Sequence, residues 1–267
     1  MRVSAATGRL LRVAVGITLA FIYIPLIVIA IYAFNKGITL KWPPESLSTK
    51  WFGEAFHNQD VKDAFVNSLK VGAVATAIAL VLGTLASLGV GRHRFFGRET
   101  VSFLVVIPIA LPGIVTAIAL RNTFTEVFGI TLGLFTVIVA HATFCIVVVY
   151  NNVIARLRRS PASFEEASAD LGADTWQTFR YITFPVIRTA VLAGGLLAFA
   201  LSFDEIVVTT FTAGTQETIP IWIFNHLRQA NQRPIVNVVA LVLILLSTIP
   251  VYLASRLTTG SETAGRT

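Results

Sequence analysis

Glu166-Ala167-Ser168-Ala169-Asp170-Leu171-Gly172, with Ile182-Thr183-Phe184-Pro185 beginning ten residues after the glycine, is the stretch that decides how this chain is read. It belongs to the one long polar passage between strongly apolar segments, about 152–188. Roughly 35 residues is more than a connection needs, and the pattern predicts short amphipathic helices. Ser160 is placed to cap a helix with Pro161 at its first position, and Glu165 and Glu166 suit the positive end of that helix. Gly172 supplies a C-terminal break. Asp174-Thr175-Trp176-Gln177 then opens a second short helix with an aspartate cap.

Outward from this loop the chain is apolar. Of 267 residues, 55% are hydrophobic and 13% charged, a balance foreign to an ordinary soluble domain. Six segments are long enough to cross about 30 Å of hydrocarbon at 1.5 Å per residue: Leu11–Phe34, Asn67–Val90, Val101–Arg121, Thr131–Asn151, Thr189–Thr212 and Ile235–Arg256. The first has no convincing small-residue cleavage site, so a retained span is predicted rather than a signal peptide. The expected organisation is a tail over 1–10, a transmembrane domain over 11–256 and a tail over 257–267.

The net charge of +7 does not point to nucleic acid, because the arginines cluster at the ends of apolar segments. With the N-terminus inside, thirteen cations, all Arg, fall on inside segments and eight outside. Gly91-Arg92-His93-Arg94-Phe95-Phe96-Gly97-Arg98 is the strongest single signal. Both termini and the 152–188 loop are therefore expected to face the cytoplasm. The single cysteine, Cys145, excludes an internal disulfide, and the four scattered histidines suggest no metal site.

Three further features carry expectations. Lys41-Trp42-Pro43-Pro44 and Leu47-Ser48-Thr49-Lys50-Trp51-Phe52 predict an interfacial element with tryptophan anchors. Ile107-Pro108-Ile109-Ala110-Leu111-Pro112-Gly113 must bend or break the third span, since proline removes a backbone donor and clashes one turn back. Pro112 is a candidate pathway residue on that ground, with a packing kink the alternative. The Gly194-Gly195 pair lets another helix come close.

Ser202-Phe203-Asp204-Glu205 interrupts the fifth span, with Asp204 about 5 Å past its middle at 1.5 Å per residue. An ionised acid facing lipid there costs roughly 2–3 kcal/mol or more. Adjacent residues on a helix point about 100° apart, so the two acids are expected to do different jobs. Three roles stand open: negative charge for a cationic solute in transit, an ion pair with Arg121, or hydrogen bonding to backbone at an irregularity near Ser202.

The 166–185 stretch resembles the coupling loop of binding-protein-dependent ABC importer permeases, whose signature is Glu-Ala-Ala, three residues, Gly, nine residues, then Ile-x-Leu-Pro. Glu166, Ala167, Gly172, Ile182 and Pro185 match it, while Ser168 replaces the second Ala and Phe184 the Leu. Ser202-Phe203-Asp204-Glu205-Ile206-Val207-Val208-Thr209 is similar to the fifth-span motif of polyamine-type permeases, in the subunit usually encoded second. The resemblance covers nearly the whole chain. It implies an all-α membrane protein with six transmembrane helices, the type I ABC importer permease fold and cytoplasmic coupling helices, in a bacterial inner membrane.

The resemblance also implies Glu165, Glu166, Ala167, Ser168, Gly172, Ile182 and Pro185 as contacts to an ATPase. Ser202, Asp204, Glu205 and Pro112 become candidates for a path for spermidine, putrescine or a related organic cation. Other permeases of this kind carry aminoalkylphosphonates, opines or amino acids. The expected partners are a second permease subunit, two copies of a cytoplasmic ATPase that uses ATP-Mg, and a periplasmic or lipid-anchored binding protein. No Gly-x-x-x-x-Gly-Lys-Ser/Thr run and no catalytic constellation is present. The chain is accordingly expected to be a translocation subunit with no cofactor of its own. A secondary transporter is one competing class, but it would not need the polar loop and no inverted repeat is obvious in the two halves. A membrane receptor or scaffold subunit is the other.

Overall fold

The computed structural model describes residues 5–39, 41–44 and 46–263. The predicted terminal tails lie partly outside this range: residues 1–4 and 264–267, with Arg2 and Arg266, are not among the described residues. The described residues are mostly helical, and the helices are joined by turns and irregular segments that include one isolated antiparallel bridge, Asn35 to Leu47.

Twelve α-helices follow in order among the described residues. They are α1 (Ala5–Ala33), α2 (Lys50–His57), α3 (Gln59–Arg92), α4 (Arg98–Ala110), α5 (Gly113–Asn122), α6 (Leu134–Arg159), α7 (Ser163–Asp170), α8 (Thr175–Thr178), α9 (Phe184–Phe203), α10 (Val207–Thr212), α11 (Ile219–His226) and α12 (Arg233–Thr263). Single π-helical turns, Thr123–Val127 and Phe179–Thr183, extend α5 and precede α9. Among the described residues five helical stretches are long and apolar enough to span a membrane, and the bent pair α4–α5, taken as one broken span, brings the number to six.

The chain divides into two compact parts. The first holds the residues up to Lys62 together with Trp222–Leu245. Here α1 is apolar and largely exposed around its circumference, as a helix facing lipid must be. The loop after it is tied to itself: Lys36 N–H donates to the Ser46 carbonyl at 2.9 Å, and Trp51 Nε1–H donates to the Lys36 carbonyl at 3.3 Å. Trp42 is exposed, as an interfacial anchor would be. Trp51 is buried instead, because its indole N–H finds a carbonyl within the loop and its ring leaves the surface.

The second part runs from Asp63 to Ile221 and resumes at Leu246. Its core is the seam between α6 and α9, with α3 alongside. Buried Cys145, Val149, Val153 and Leu157 of α6 pack with Ile187 and Ala198 of α9 and Ala79 of α3. Small residues set the spacing. A Cβ at Gly194 would lie 3.2 Å from the Val149 Cα, one at Gly83 would lie 2.9 Å from the Ile146 carbonyl oxygen, and one at Gly195 would lie 2.9 Å from Leu80. This is the close approach that membrane helices use in place of a hydrophobic driving force.

The third span is broken rather than kinked. α4 and α5 meet at 102°. Proline disfavours the helical region for the residue before it, and Leu111 is extended at ψ 147°. Pro112 then starts α5, its carbonyl accepting from Val115 N–H at 2.9 Å.

Candidate functional site

The polar loop is built by a small set of side-chain bonds. The predicted helix start at Ser160 is displaced: Ser160 closes α6, and α7 begins at Ser163 after Ala162. The cause is Arg92 at the end of α3. Its Nη1 donates to the Leu157 and Ser160 carbonyls at 3.1 and 3.3 Å, satisfying the last carbonyls of α6. Ser160 is thereby held as a helix end and Pro161 falls in the connection.

Glu165 and Glu166 occupy the first turn of α7, where the helix dipole favours them. Their roles differ. Glu165 is partly buried and pairs with Arg92 Nε at 3.0 Å, while Thr183 Oγ1–H donates to it at 2.9 Å. Glu166 and Ala167 are exposed. Gly172 ends α7 at φ +85°, with its N–H donating to the Ala169 carbonyl and the Ala173 N–H to the Ser168 carbonyl. Those two bonds form a Schellman turn, which calls for glycine at the left-handed position.

Asp174 then caps α8: Gln177 N–H donates to its Oδ1 at 2.8 Å and Gln177 Oε1 accepts from its N–H at 3.0 Å. The hydroxyls of Ser168 and Thr178 meet at 3.0 Å and join α7 to α8. Ile182 is half-buried in the π-turn, and exposed Pro185 lies in the first turn of α9. The loop leaves Phe164, Leu171, Trp176 and Tyr181 exposed, an apolar surface on an otherwise polar element.

The fifth span is interrupted at 204–206, between α9 and α10. No proline or glycine lies there. The interruption is held from outside by His141 of α6, fully buried, whose Nδ1 is 2.8 Å from Ser202 Oγ and whose Nε2 is 2.8 Å from Thr209 Oγ1. One ring thus bonds the last turn of α9 and the first turn of α10. Sequence reasoning singled out Ser202, quoted Thr209 within the fifth-span motif without giving it a role, and missed His141. The available signal was a polar ring inside the apolar run 134–150.

Glu205 turns back on the backbone, its Oε1 accepting from Val208 N–H at 2.9 Å, and its carbonyl accepts from Thr209 Oγ1–H at 2.8 Å. Asp204 is exposed and forms no ion pair among the described residues. The ion pair considered with Arg121 is not formed. Arg121 is exposed on α5, beyond the 102° turn, and the Glu205 carboxylate is engaged by the backbone.

The two interruptions adjoin. α5 packs on α10, and a Cβ at Gly113 would lie 3.9 Å from Val207 Cγ1. Pro112 and Asp204 therefore belong to one neighbourhood of discontinuous helix. A cavity of about 300 Å³ lies nearby among α3, α9 and the second half of α12, lined by Phe65, Leu69, Phe199, Phe203 and Leu253 among others. Its lining includes neither acid.

Comparison with known proteins identifies the family and the fold. Residues 79–259 match the family described as binding-protein-dependent transport system inner membrane component. The spermidine/putrescine transport system permease protein PotC of Haemophilus influenzae is 34% identical over 241 residues, 90% of this chain and 92% of that protein. The putrescine transport system permease protein PotI of Escherichia coli is 33% identical over 240 residues, 87% of this chain and 84% of that one. Among solved structures, a chain of a bacterial ABC transporter that imports the acidic polysaccharide alginate superposes with a TM-score of 0.71. That likeness holds at 16% identity, covering 97% of this chain and 99% of that chain.

Proposed function

The chain belongs to the family of binding-protein-dependent transport system inner membrane components, and on that premise we propose that it is the permease subunit of an importer for polyamines. The observation that carries the substrate assignment is Asp204: an exposed carboxylate without an ion pair, at a helix break inside an apolar span. An acid in such a place is costly unless water or a cation meets it, and a di- or tri-cationic amine supplies that cation. Discontinuous helices are where transporters leave backbone groups free to face a solute. In this division of labour Asp204 faces the solute, Glu205 and Ser202 hold the break, and Pro112 shapes the adjoining wall. The two named relatives, permeases of spermidine/putrescine and putrescine systems, support the same substrate class.

The loop around Gly172 is the contact for an ATPase that binds ATP-Mg. Its exposed Phe164, Leu171, Trp176 and Tyr181 supply apolar area, and Glu166 the charge, for docking into a cleft of that partner. Glu165 sets the orientation of α7 through Arg92. Closure of two ATPase copies, docked on this loop and on that of a second permease subunit, switches the spans between inward- and outward-open forms. The binding protein delivers solute from outside. The coupling is a contact stronger in one state than in the other, which any such switch requires. The loop and both termini then face the cytoplasm.

The test is ATPase activity of the reconstituted complex with its binding protein, against putrescine, spermidine, an aminoalkylphosphonate and several amino acids. Polyamines are expected to stimulate, with Asp204→Asn weakening the response by about tenfold, the scale of one 1.4 kcal/mol contact. Stimulation by another solute alone would discard the polyamine assignment, and transport independent of the ATPase would discard the coupling. Gly172→Val, which forces a β-branched residue to φ +85°, and Glu166→Lys are expected to abolish uptake while leaving the permease in the membrane.

A further inference from the structure

The loop between α3 and α4 carries charge that the transport mechanism does not use. Arg92 is engaged by Glu165 and by two carbonyls. Arg94, Arg98 and Arg158 have no hydrogen-bonded or ion-paired side-chain partner among the described residues, yet they line one continuous surface. Arg98 and Arg158 flank a groove of about 560 Å³ whose wall is Val90, Phe103 and Val106. Arg94 and Arg98 flank an adjoining hollow of about 580 Å³ with Phe95 and Phe96, and Glu99 is common to both.

Three guanidiniums face one carboxylate, so the surface is net positive. α4 begins here at Arg98, preceded by Gly97 in the left-handed region and without a side chain to cap the first turn, which adds the positive end of a helix. Below the charged rim the surface turns apolar. α4 buries no residue of its own, and Phe103 and Leu104 are exposed along it. At the tip of the loop Phe96 is fully exposed.

We propose that this groove binds an anionic phospholipid, its phosphate among Arg94, Arg98 and Arg158 and an acyl chain along Phe103 and Val106. A soluble anion would match the rim and leave the apolar wall wet, whereas a lipid matches both with one molecule. Solvated arginines that merely fix topology need not converge on one groove. Basic juxtamembrane positions contribute about 1 kcal/mol each toward an anionic lipid surface, so three of them give a selective site. Assignment to the cytoplasmic leaflet rests on the orientation proposed above, and the binding itself does not.

The test measures lipid retained by the assembled transporter in native mass spectrometry, using nanodiscs of phosphatidylcholine alone or mixed with phosphatidylglycerol. The wild-type complex is expected to retain phosphatidylglycerol over phosphatidylcholine by at least about tenfold. The triple variant Arg94→Gln, Arg98→Gln, Arg158→Gln is expected to lose that preference, and the corresponding triple lysine variant to keep most of it. Equal retention of the two lipids by the wild type would overturn the proposal even if the glutamine variant fails to assemble. So would full displacement by inorganic phosphate, or unchanged lipid preference in the glutamine variant. None of these readouts depends on the transported solute.

Discussion

The third and fifth spans are both broken, and they are broken by different means. At Leu111-Pro112 the cause is local: proline forces the residue before it out of the helical region, and the chain leaves at 102°. At 204–206 no residue forbids helix. The break is held by distant chemistry, with His141 of α6 bonded on both sides of it and Glu205 capping the new turn. A local break survives rearrangement of its surroundings. A break held by tertiary bonds stands or falls with them, and here that break carries the exposed acid.

This difference predicts a graded set of responses. The largest belongs to His141→Leu, which removes a bond from each of two buried hydroxyls: Ser202 is orphaned, while Thr209 keeps the Glu205 carbonyl. Orphaned buried groups cost about 1–3 kcal/mol each, and interhelical bonds in membranes lie toward or below the low end of that range. A loss of roughly 2 kcal/mol follows, with polyamine-stimulated ATPase falling by more than about tenfold. Unchanged activity would show that the fifth-span break is as self-sufficient as the third.

Pro112→Ala should do less, because α5 remains packed on α10 after the local cause is gone. Spin labels at positions 104 and 118 are expected to report a broadened, longer distance distribution. A single unchanged distance would mean that the third break too is held from outside.

The smallest effect is expected from Glu205→Gln, which keeps an acceptor for Val208 N–H and should leave stimulation within about twofold, whereas Glu205→Ala forfeits a cap worth about 1 kcal/mol. Equal, strong losses in both would return Glu205 to the solute path.

The same contrast explains what could be read in the sequence. Features with local causes were legible. Apolar runs had to be spans, Pro112 had to interrupt, Gly172 had to turn, and Asp174 with Gln177 had to start a helix. Features whose cause lies far along the chain were not. Ser160 looked like a helix start until Arg92, 68 residues earlier, took its carbonyl. Glu165 and Glu166 looked equivalent until Arg92 and Thr183 claimed one of them. Trp51 looked like an anchor until its N–H found Lys36. In the fifth span the acids announced a site, but the ring that organises it sits 61 residues from Ser202.

The Arg92–Glu165 pair also determines how load spreads. By chain connectivity the loop is attached to α6 and α9 alone. The guanidinium adds α3 and grips the end of α6 as well, while Thr183 ties the same carboxylate to the foot of α9. A pull on α7 is therefore shared by three long helices at one knot rather than passed along two strings of backbone. If the loop is the ATPase contact proposed above, it is a handle riveted to the block it turns, and slack in it would be lost motion in the stroke.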